Sequence, residues 1–282
     1  MSYDPHSVQN HFDSYGEKEW NRLVATPVDE VSLQIHAHYL REHVPAGARV
    51  LEIGAGAGRF TQLLAELGAR VVVGDISPGQ LELNRRFAAQ FCFEKSVEDW
   101  QQVDIVDLSR YPDGAFDVVV AYGGPLSYVL EQRDRALSEC LRVLKPGGRM
   151  LASVMTLWGT VHRSLAGVLD VPLEFNQRII ATGDLTHDTF PTRTGHYMHL
   201  FRAEELRGWL AEHGLRVLAL SASGVLATTW DEKLHAIRQD EARWAELLRM
   251  ELAASASPGC LEMGTHMIFV VAKNRGGLKP AG

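Results

Sequence analysis

The segment Val50-Leu51-Glu52-Ile53-Gly54-Ala55-Gly56-Ala57-Gly58 decides the fold. Its apolar first half predicts a short buried strand, and its glycines predict a tight turn where a ligand can approach the backbone closely. A helical pattern begins after the last glycine, and the N–H groups and dipole of a helix N-terminus favour a negatively charged group. The segment therefore predicts a strand–turn–helix junction that binds a ligand, rather than a junction that binds nothing.

Short apolar runs alternate with helical patterns on both sides of this junction. The predicted strands cover residues 50–53, 71–73, 102–105, 116–122, 149–155, 215–221 and 266–272. The predicted helices cover residues 30–43, 60–67, 78–90, 133–143, 203–212 and 232–254. Alternation at this spacing is typical of βαβ units around a parallel sheet, which bind ligands beyond the carboxyl ends of the strands.

This rhythm divides the chain into segments with different expected roles. Residues 30–155 and 202–273 form one α/β domain, which residues 156–201 interrupt. We expect this interruption, which contains four histidines, to be an insertion over the ligand site. Residues 1–29 precede the domain, and the Gly- and Lys-containing tail 274–282 is expected to be loose.

Charge and composition exclude several classes of function. Among 282 residues, 28 Lys and Arg stand against 35 Asp and Glu, and the formal charge of −7 argues against broad nucleic-acid binding. No apolar run reaches the ~18 residues that span a bilayer, and the N-terminus lacks a signal-peptide pattern. The three cysteines form no Cys-x-x-Cys pair, so we expect a cytoplasmic protein. The oligomeric state stays open.

The glycine spacing separates two classes of ligand. Dinucleotide-binding folds place glycines as G-x-G-x-x-G, but Arg59 occupies the third glycine position here. The observed G-x-G-x-G, with Glu52 ahead of it, resembles the first motif of class I S-adenosylmethionine (SAM)-dependent methyltransferases. The resemblance implies SAM as cofactor, S-adenosylhomocysteine as product, and a turn that holds the methionine part. The residues it implies are Glu52, Gly54, Ala55, Gly56 and Gly58.

Asp75 ends the second predicted strand, where a carboxylate can accept hydrogen bonds from both ribose hydroxyls. This position fits NAD as well as SAM. Ser77 caps the next helix, and Gln80 occupies the capping-box position. We assign Ile76 and Gln80, together with Asp75, to the predicted cofactor site.

Asp104 and Ile105 precede a Phe-Asp-Val-Val strand beginning at Phe116. This order is similar to the methyltransferase stretch in which an acid reads the adenine amino group and its apolar neighbour packs on the ring. Asp107 competes for the acid role, and the spacing to Leu108 favours Asp104. The run from Leu144 to Gly148 resembles the structural turn before the family's fifth strand.

These matches cover about residues 50–155 in the family's order. They imply a Rossmann-like α/β fold with seven mostly parallel strands, helices on both faces, an antiparallel last strand and an inserted lid segment. Residues 1–29 resemble the lid of a bacterial subgroup, in which Tyr15 or Arg22 covers SAM. Tyr122 ends the predicted fourth strand, at the position that faces the transferable methyl in the family.

The acceptor half has fewer motifs. Gly124-Pro125 follows no Asn or Asp, unlike the motif of amino-group methylases that act on nucleobases, so we expect a small-molecule acceptor. Ser127 and Tyr128 either line its pocket or serve as a helix cap and a core aromatic.

The insertion supplies candidates for a proton acceptor. His196 and His199 flank Tyr197, and a neutral imidazole near the acceptor can take a proton or position the acceptor. Surface or packing roles are the alternative for both histidines. The spacing of His187-Asp188 and these two histidines matches no metal motif, so no metal is predicted.

The sequence thus predicts a SAM-dependent methyltransferase that acts on an O or N atom of a small molecule. A nicotinamide-dependent oxidoreductase is an alternative, which Arg59 and the Asp104 region disfavour. A SAM-binding protein without transfer activity is another, because cofactor residues alone do not establish turnover.

Overall fold

The computed structural model describes residues 2–190 and 196–273. The expected tail 274–282 and part of the expected insertion, 191–195, lie outside the described residues. The helices are α1 (Pro5–Tyr15), α2 (Lys18–Arg22), α3 (Pro27–His43), α4 (Arg59–Glu66), α5 (Pro78–Gln90), α6 (Pro125–Tyr128), α7 (Arg133–Val143), α8 (Leu157–Arg163), α9 (Leu165–Leu169), α10 (Leu173–Thr182), α11 (Ala203–Glu212), α12 (Asp231–Ile237) and α13 (Glu241–Ser255). The strands are β1 (Arg49–Ile53), β2 (Arg70–Asp75), β3 (Val97–Gln102), β4 (Phe116–Ala121), β5 (Leu144–Met155), β6 (Asp184–Leu185), β7 (Met198–His199), β8 (Arg216–Ala222) and β9 (His266–Ala272).

Seven strands form the main sheet in the order β3-β2-β1-β4-β5-β9-β8. Neighbours from β3 to β5 pair in parallel, whereas β9 runs antiparallel to β5 and to β8. The order reverses between β1 and β4, so a crevice for a ligand opens at the carboxyl ends of these strands. The predicted Rossmann-like sheet with an antiparallel last strand is confirmed.

Several predicted elements have different bounds in the structure, and β5 begins at Leu144, so the predicted turn at residues 144–148 is part of that strand. The third strand covers Val97–Gln102 rather than 102–105, and none of its six residues is buried, as fits a polar strand at the edge of the sheet. Its low hydrophobicity hid it from the sequence pattern. The predicted helix 232–254 is two helices, because the side chain of Asp240 caps a new helix by accepting from the N–H groups of Ala242 and Arg243.

Alternate side chains of the central strands enter two hydrophobic layers. On β1, Val50 packs in the layer that contains α3 and α4, while Leu51 packs in the opposite layer with α7 and α11. Both side chains are fully buried. Helices on both faces explain why the strands read as continuous apolar runs.

Segments outside the sheet approach its carboxyl edge. Before α3, α1 and α2 lie against α5 and the glycine turn. After β5, helices α8–α10 and the short β6–β7 ladder occupy the expected insertion. No helix within residues 2–190 and 196–273 is long and apolar enough to cross a membrane.

Candidate active site

A cavity of about 280 Å³ lies at the carboxyl ends of β1, β2 and β4, under α1 and α2. The sequence-predicted residues that line it are Tyr15, Arg22, Gly54, Ala55, Gly56, Gly58, Asp75, Ile76, Asp104, Ile105, Tyr122, Tyr128 and His196. The predicted residues whose side chains lie elsewhere are Glu52, Gln80, Ser127, Tyr197 and His199. We refer to this cavity of about 280 Å³ as the main cavity.

The glycine turn forms one wall of the main cavity. Gly54 and Gly56 have φ of +68° and +54°, a region that favours glycine. A Cβ on Gly54 would lie 2.6 Å from Cγ of Pro125, and one on Gly56 would lie 3.0 Å from Cγ of Glu19. Glycine at these two positions therefore lets the turn lie closer to α2 and to the segment after β4 than a residue with a Cβ would allow.

Asp75 lies at the end of β2 and faces the main cavity. Its Oδ2 accepts from the N–H of Gly56 at 2.8 Å, and its Oδ1 accepts from the N–H of Ser77 at 2.8 Å. Burial raises the pKa of Asp75 to about 6, although both N–H groups favour the carboxylate. Each oxygen has a second lone pair, so the group can also accept from two vicinal hydroxyls.

Glu52 lies behind the turn rather than in the main cavity. Its Oε2 accepts from Oγ1 of Thr61 at 2.7 Å, and Nδ2 of Asn84 donates to the same hydroxyl and to the carbonyl of Gly56. Burial raises the pKa of Glu52 to about 8, against the opposing effect of the Thr61 hydrogen bond. The carboxyl group therefore supports the turn from the side of α4.

Asp104 lines the main cavity and contacts the N-terminal segment. Its Oδ2 accepts from the hydroxyl of Tyr3 at 2.8 Å, and its Oδ1 accepts from the N–H of Val106. Asp107, the competing acid, is exposed, and its Oδ1 accepts from the N–H of Ser109. The structure thus places Asp104, and not Asp107, at the candidate site.

The lid, by which we mean α1 and α2, is held to α5 by polar contacts. Buried Gln80 donates from Nε2 to the carbonyls of Phe12 and Gly16, at 2.9 and 3.1 Å. Oδ1 of Asp13 accepts from the N–H of Gly79 at 3.0 Å, at the start of α5. Gln80 therefore contacts the lid and does not line the main cavity.

Arg22 and Glu19 form an ion pair in the wall of the main cavity. Nη2 and Nε of Arg22 donate to the two carboxylate oxygens of Glu19, at 2.7 and 3.0 Å. Burial alone would lower the pKa of Arg22, but the Glu19 carboxylate raises it. Arg22 therefore stays charged and adds a paired cation to the wall.

Aromatic rings close the end of the main cavity below α1. The ring of His196 stacks on that of His11, with ring centroids 4.5 Å apart. The ring of Phe12 lies edge-to-face with His196, and their centroids are 5.2 Å apart. Tyr128 also contacts His196 and donates from its hydroxyl to the carbonyl of Gly123 at 2.9 Å. His196 therefore joins the insertion to the lid.

The remaining acceptor candidates lie outside the main cavity. Ser127 is fully buried, and its hydroxyl accepts from the N–H of Met155 at 2.8 Å, so it fixes α6 to β5. Tyr197 is half-buried beside β7.

Both ring nitrogens of His199 contact carboxylates. Its Nδ1 lies 2.7 Å from Oδ1 of Asp184, and its Nε2 lies 2.8 Å from Oε1 of Glu205. Burial lowers the pKa of His199, but the two carboxylates raise it overall. Both ring nitrogens donate to carboxylates, so the geometry leaves none to accept a proton from a substrate.

A second cavity of about 180 Å³ adjoins the main one and was missed by the sequence reasoning. The residues that line both are Arg22, Leu23, Phe60, Gly123 and His266. We call it the side cavity. Its wall includes His36 of α3, which lies one helical turn before the buried Leu40. A histidine on the apolar face of that helix was the one available sequence signal.

The main cavity fits SAM by its donor and acceptor set. A buried carboxylate, Asp75, and a half-buried one, Asp104, lie along its wall, and the glycine turn leads into the N-terminus of α4. These groups match the hydroxyls, amino group and charged end of such a ligand. Among the described residues, no three His, Cys, Asp or Glu side chains are grouped to hold a metal ion.

Comparison with known proteins agrees with this geometry. The family described as "Methyltransferase domain" matches residues 51–152. The ubiquinone biosynthesis O-methyltransferase of Xanthomonas axonopodis pv. citri (strain 306) is 30% identical over 189 residues, 66% of this chain and 69% of that protein. The enzyme of the same name from Nitrosococcus oceani is 28% identical over 224 residues, 78% of this chain and 86% of that protein.

A solved structure shares the fold at low sequence identity. The Burkholderia thailandensis 1,6-didemethyltoxoflavin-N1-methyltransferase, with bound 1,6-didemethyltoxoflavin and S-adenosylhomocysteine, has a TM-score of 0.57 and 16% identity. The likeness covers 97% of this chain and 92% of that one. The nicotinamide-dependent and non-catalytic alternatives are not favoured. The chain belongs to the class I SAM-dependent methyltransferase family, and it is a SAM-dependent methyltransferase of small molecules.

Proposed function

We propose that this methyltransferase acts on a hydroxyl oxygen of a small molecule. The main cavity supports a small acceptor, since it has a volume of about 280 Å³ and lies between the sheet and the lid. Two relatives named as O-methyltransferases, each covered over more than two thirds of its length, favour oxygen over nitrogen. The formal charge of −7 favours a small acceptor over nucleic acid.

The proposed cofactor contacts follow from the main cavity. When bound, SAM supplies a methyl group whose bond to sulfur breaks with both electrons left on sulfur. Asp75 accepts from the ribose hydroxyls, and Asp104 accepts from the adenine amino group beside Ile76 and Ile105. Glu52 acts through Thr61 on the turn, so it positions the turn without touching the ligand.

The lid and the insertion have proposed roles in closing the site. From the segment 1–29, α1 and α2 cover the main cavity, with Tyr15 and Arg22 in its wall. From the insertion 156–201, His196 stacks on the ring of His11 in α1 and contacts Tyr128, so these residues close the main cavity and exclude water from it. His199 holds β7 to α11 and takes no part in proton transfer.

We also propose that the protein works in the reducing cytoplasm. Its three cysteines, Cys92, Cys140 and Cys260, are all unpaired in the structure. Cys140 is fully buried in the layer with α7, where it packs as a small apolar residue.

The direct test offers the purified protein labelled SAM with phenols, aliphatic alcohols and amines of similar size. Label on a hydroxyl acceptor, lost when Asp75 is replaced by alanine, supports the proposal. Label that appears on amines alone contradicts oxygen transfer. Oligonucleotides serve as the control for the excluded acceptor class.

A further inference from the structure

The side cavity has a composition unlike that of the main one. Polar residues of its wall include Asp29, Ser32, His36, Arg163, Thr228 and Thr265. Its volume of about 180 Å³ is smaller than the volume of about 280 Å³ of the main cavity. The side cavity therefore suits a compact polar molecule.

Three rings join His36 to the main cavity. The centroid of His36 lies 4.7 Å from that of Tyr122, 5.4 Å from that of Phe60 and 6.3 Å from that of His266. All three rings line the main cavity. His36 therefore contacts the ring of Tyr122, which directly follows β4 and lines the main cavity.

The tautomer of His36 is fixed by its own helix. Nδ1 of His36 lies 2.8 Å from the carbonyl oxygen of Ser32, and a carbonyl only accepts, so Nδ1 carries the proton. In the neutral ring, Nε2 is then a hydrogen-bond acceptor. His266 lacks this constraint, because its Nδ1 contacts the hydroxyl of Thr265, which can donate or accept.

Burial and a nearby positive charge keep the ring of His36 neutral. Burial and, to a smaller extent, the charge of Arg22 lower the pKa of His36 to about 4, against the opposing effect of the Ser32 hydrogen bond. The titratable and charged groups that face it or share its cavity are Arg22, Asp29, Tyr122, Arg163 and His266. Both arginines are paired with carboxylates, Arg22 with Glu19 and Arg163 with Asp29, so the cavity holds no uncompensated charge from them.

We propose that the side cavity binds the methyl acceptor as a compact hydroxyl compound, and that Nε2 of His36 takes the hydroxyl proton. This inference rests on the proposed oxygen transfer and extends it to a site and a residue. The acceptor O–H bond breaks as its proton passes to Nε2, and the oxygen keeps the electron pair that bonds to the methyl carbon. The imidazolium proton then leaves to water with product release, which restores the neutral ring.

The first experiment locates the acceptor by NMR with catechol as the probe. Histidine-labelled protein saturated with S-adenosylhomocysteine is titrated with catechol, and ¹⁵N shifts of the imidazoles are followed. We expect His36 to be an Nδ1–H tautomer whose Nε2 resonance moves with catechol, while exposed His38 of the same helix does not. Shifts confined to His196, or no catechol binding up to its solubility limit, overturn the side cavity as acceptor site.

The second experiment separates proton transfer from folding. His36→Asn keeps an amide nitrogen for the Ser32 carbonyl, so S-adenosylhomocysteine should bind within about twofold of wild type. With catechol as acceptor, kcat should fall about 100-fold or more, and the variant's rate should rise tenfold per pH unit while wild type stays flat between about pH 6 and 8. His38→Asn is the matched control and should retain wild-type rates.

An unchanged kcat of His36→Asn or an unchanged KM of Ser32→Leu would overturn this inference, and both results differ from failure of the proposed function. A kcat of His36→Asn within about threefold of wild type removes the residue from proton transfer. A wild-type protein that binds S-adenosylhomocysteine but methylates only amines contradicts oxygen transfer itself. Ser32→Leu, which narrows the side cavity, should raise KM for catechol without changing cofactor affinity; an unchanged KM contradicts the location.

Discussion

Oδ2 of Asp75 accepts a hydrogen bond from the backbone N–H of Gly56 at 2.8 Å, so the end of β2 fixes the glycine turn after β1. The same carboxylate faces the main cavity. One residue therefore shapes the turn and presents acceptors to a ligand, and the two roles depend on different lone pairs.

Replacing Asp75 should weaken cofactor binding strongly. We expect Asp75→Ala to raise the Kd of S-adenosylhomocysteine by more than tenfold, about 1.4 kcal/mol, because acceptors for two hydroxyls and for the Gly56 N–H are lost. Calorimetric titration measures this change. Glu82→Ala, on the exposed face of α5, is the control, and an unchanged affinity for Asp75→Ala would remove Asp75 from the site.

Glu52 should make stability fall with rising pH. Its pKa in the fold, about 8, lies above the ordinary 4.5, so the folded state binds more protons than the unfolded state between these values. Glu52→Gln mimics the protonated group and removes this dependence. From about pH 5 to 8, the Tm of wild type should fall by at least about 3 °C relative to the variant. Parallel Tm curves would contradict a raised pKa; Glu82→Gln is the control.

His199 should affect stability and leave the chemistry intact. Its pKa is raised by Asp184 and Glu205, so its contribution is complete below the ordinary value of 6.5 and is lost as pH rises through the folded pKa. His199→Gln should cost about 1.5–3 kcal/mol in acid and less near pH 9. Denaturant unfolding at both pH values measures this, with exposed His235→Gln as the control. If the fully folded His199→Gln variant lost about 100-fold in kcat, His199 would instead act as a base in methyl transfer.

Gln80 should control the docking of the lid. Gln80→Leu keeps the size of the side chain but removes its donors to the carbonyls of Phe12 and Gly16. We expect trypsin to cleave at Lys18 several-fold faster, and S-adenosylhomocysteine to protect the variant less than wild type. Gln90→Leu, at the exposed end of α5, should leave cleavage unchanged. Equal cleavage of wild type and Gln80→Leu would separate this residue from the lid.

Local patterns in the sequence predicted the fold, and they supplied the predictions for the cofactor half of the site. The run from Val50 to Gly58 has the continuously buried strand and the positive-φ glycines that its residues predict. Asp75 was assigned to the site from its position at a strand end and Asp104 from the family resemblance, and both line the main cavity. The structure also separated Asp104 from Asp107, which differ in exposure and not in residue type.

Tertiary contacts decided the features that the sequence pattern left out. The edge strand Val97–Gln102 is polar and therefore lacks the apolar signal on which strand prediction depends. His36 lies far in sequence from the turn, and only packing of α3 against Phe60 and Tyr122 brings it to the cavities. The sequence suggested His199 as a proton acceptor, whereas in the structure both of its ring nitrogens lie within hydrogen-bond distance of carboxylates.

Calorimetric titration with S-adenosylhomocysteine, with NAD in parallel, tests the central claim that the main cavity is a SAM site. We predict micromolar binding of S-adenosylhomocysteine at one site per chain and no heat with NAD. Binding of NAD alone, or of neither compound, would contradict the assignment of the glycine turn, Asp75 and Asp104 to SAM.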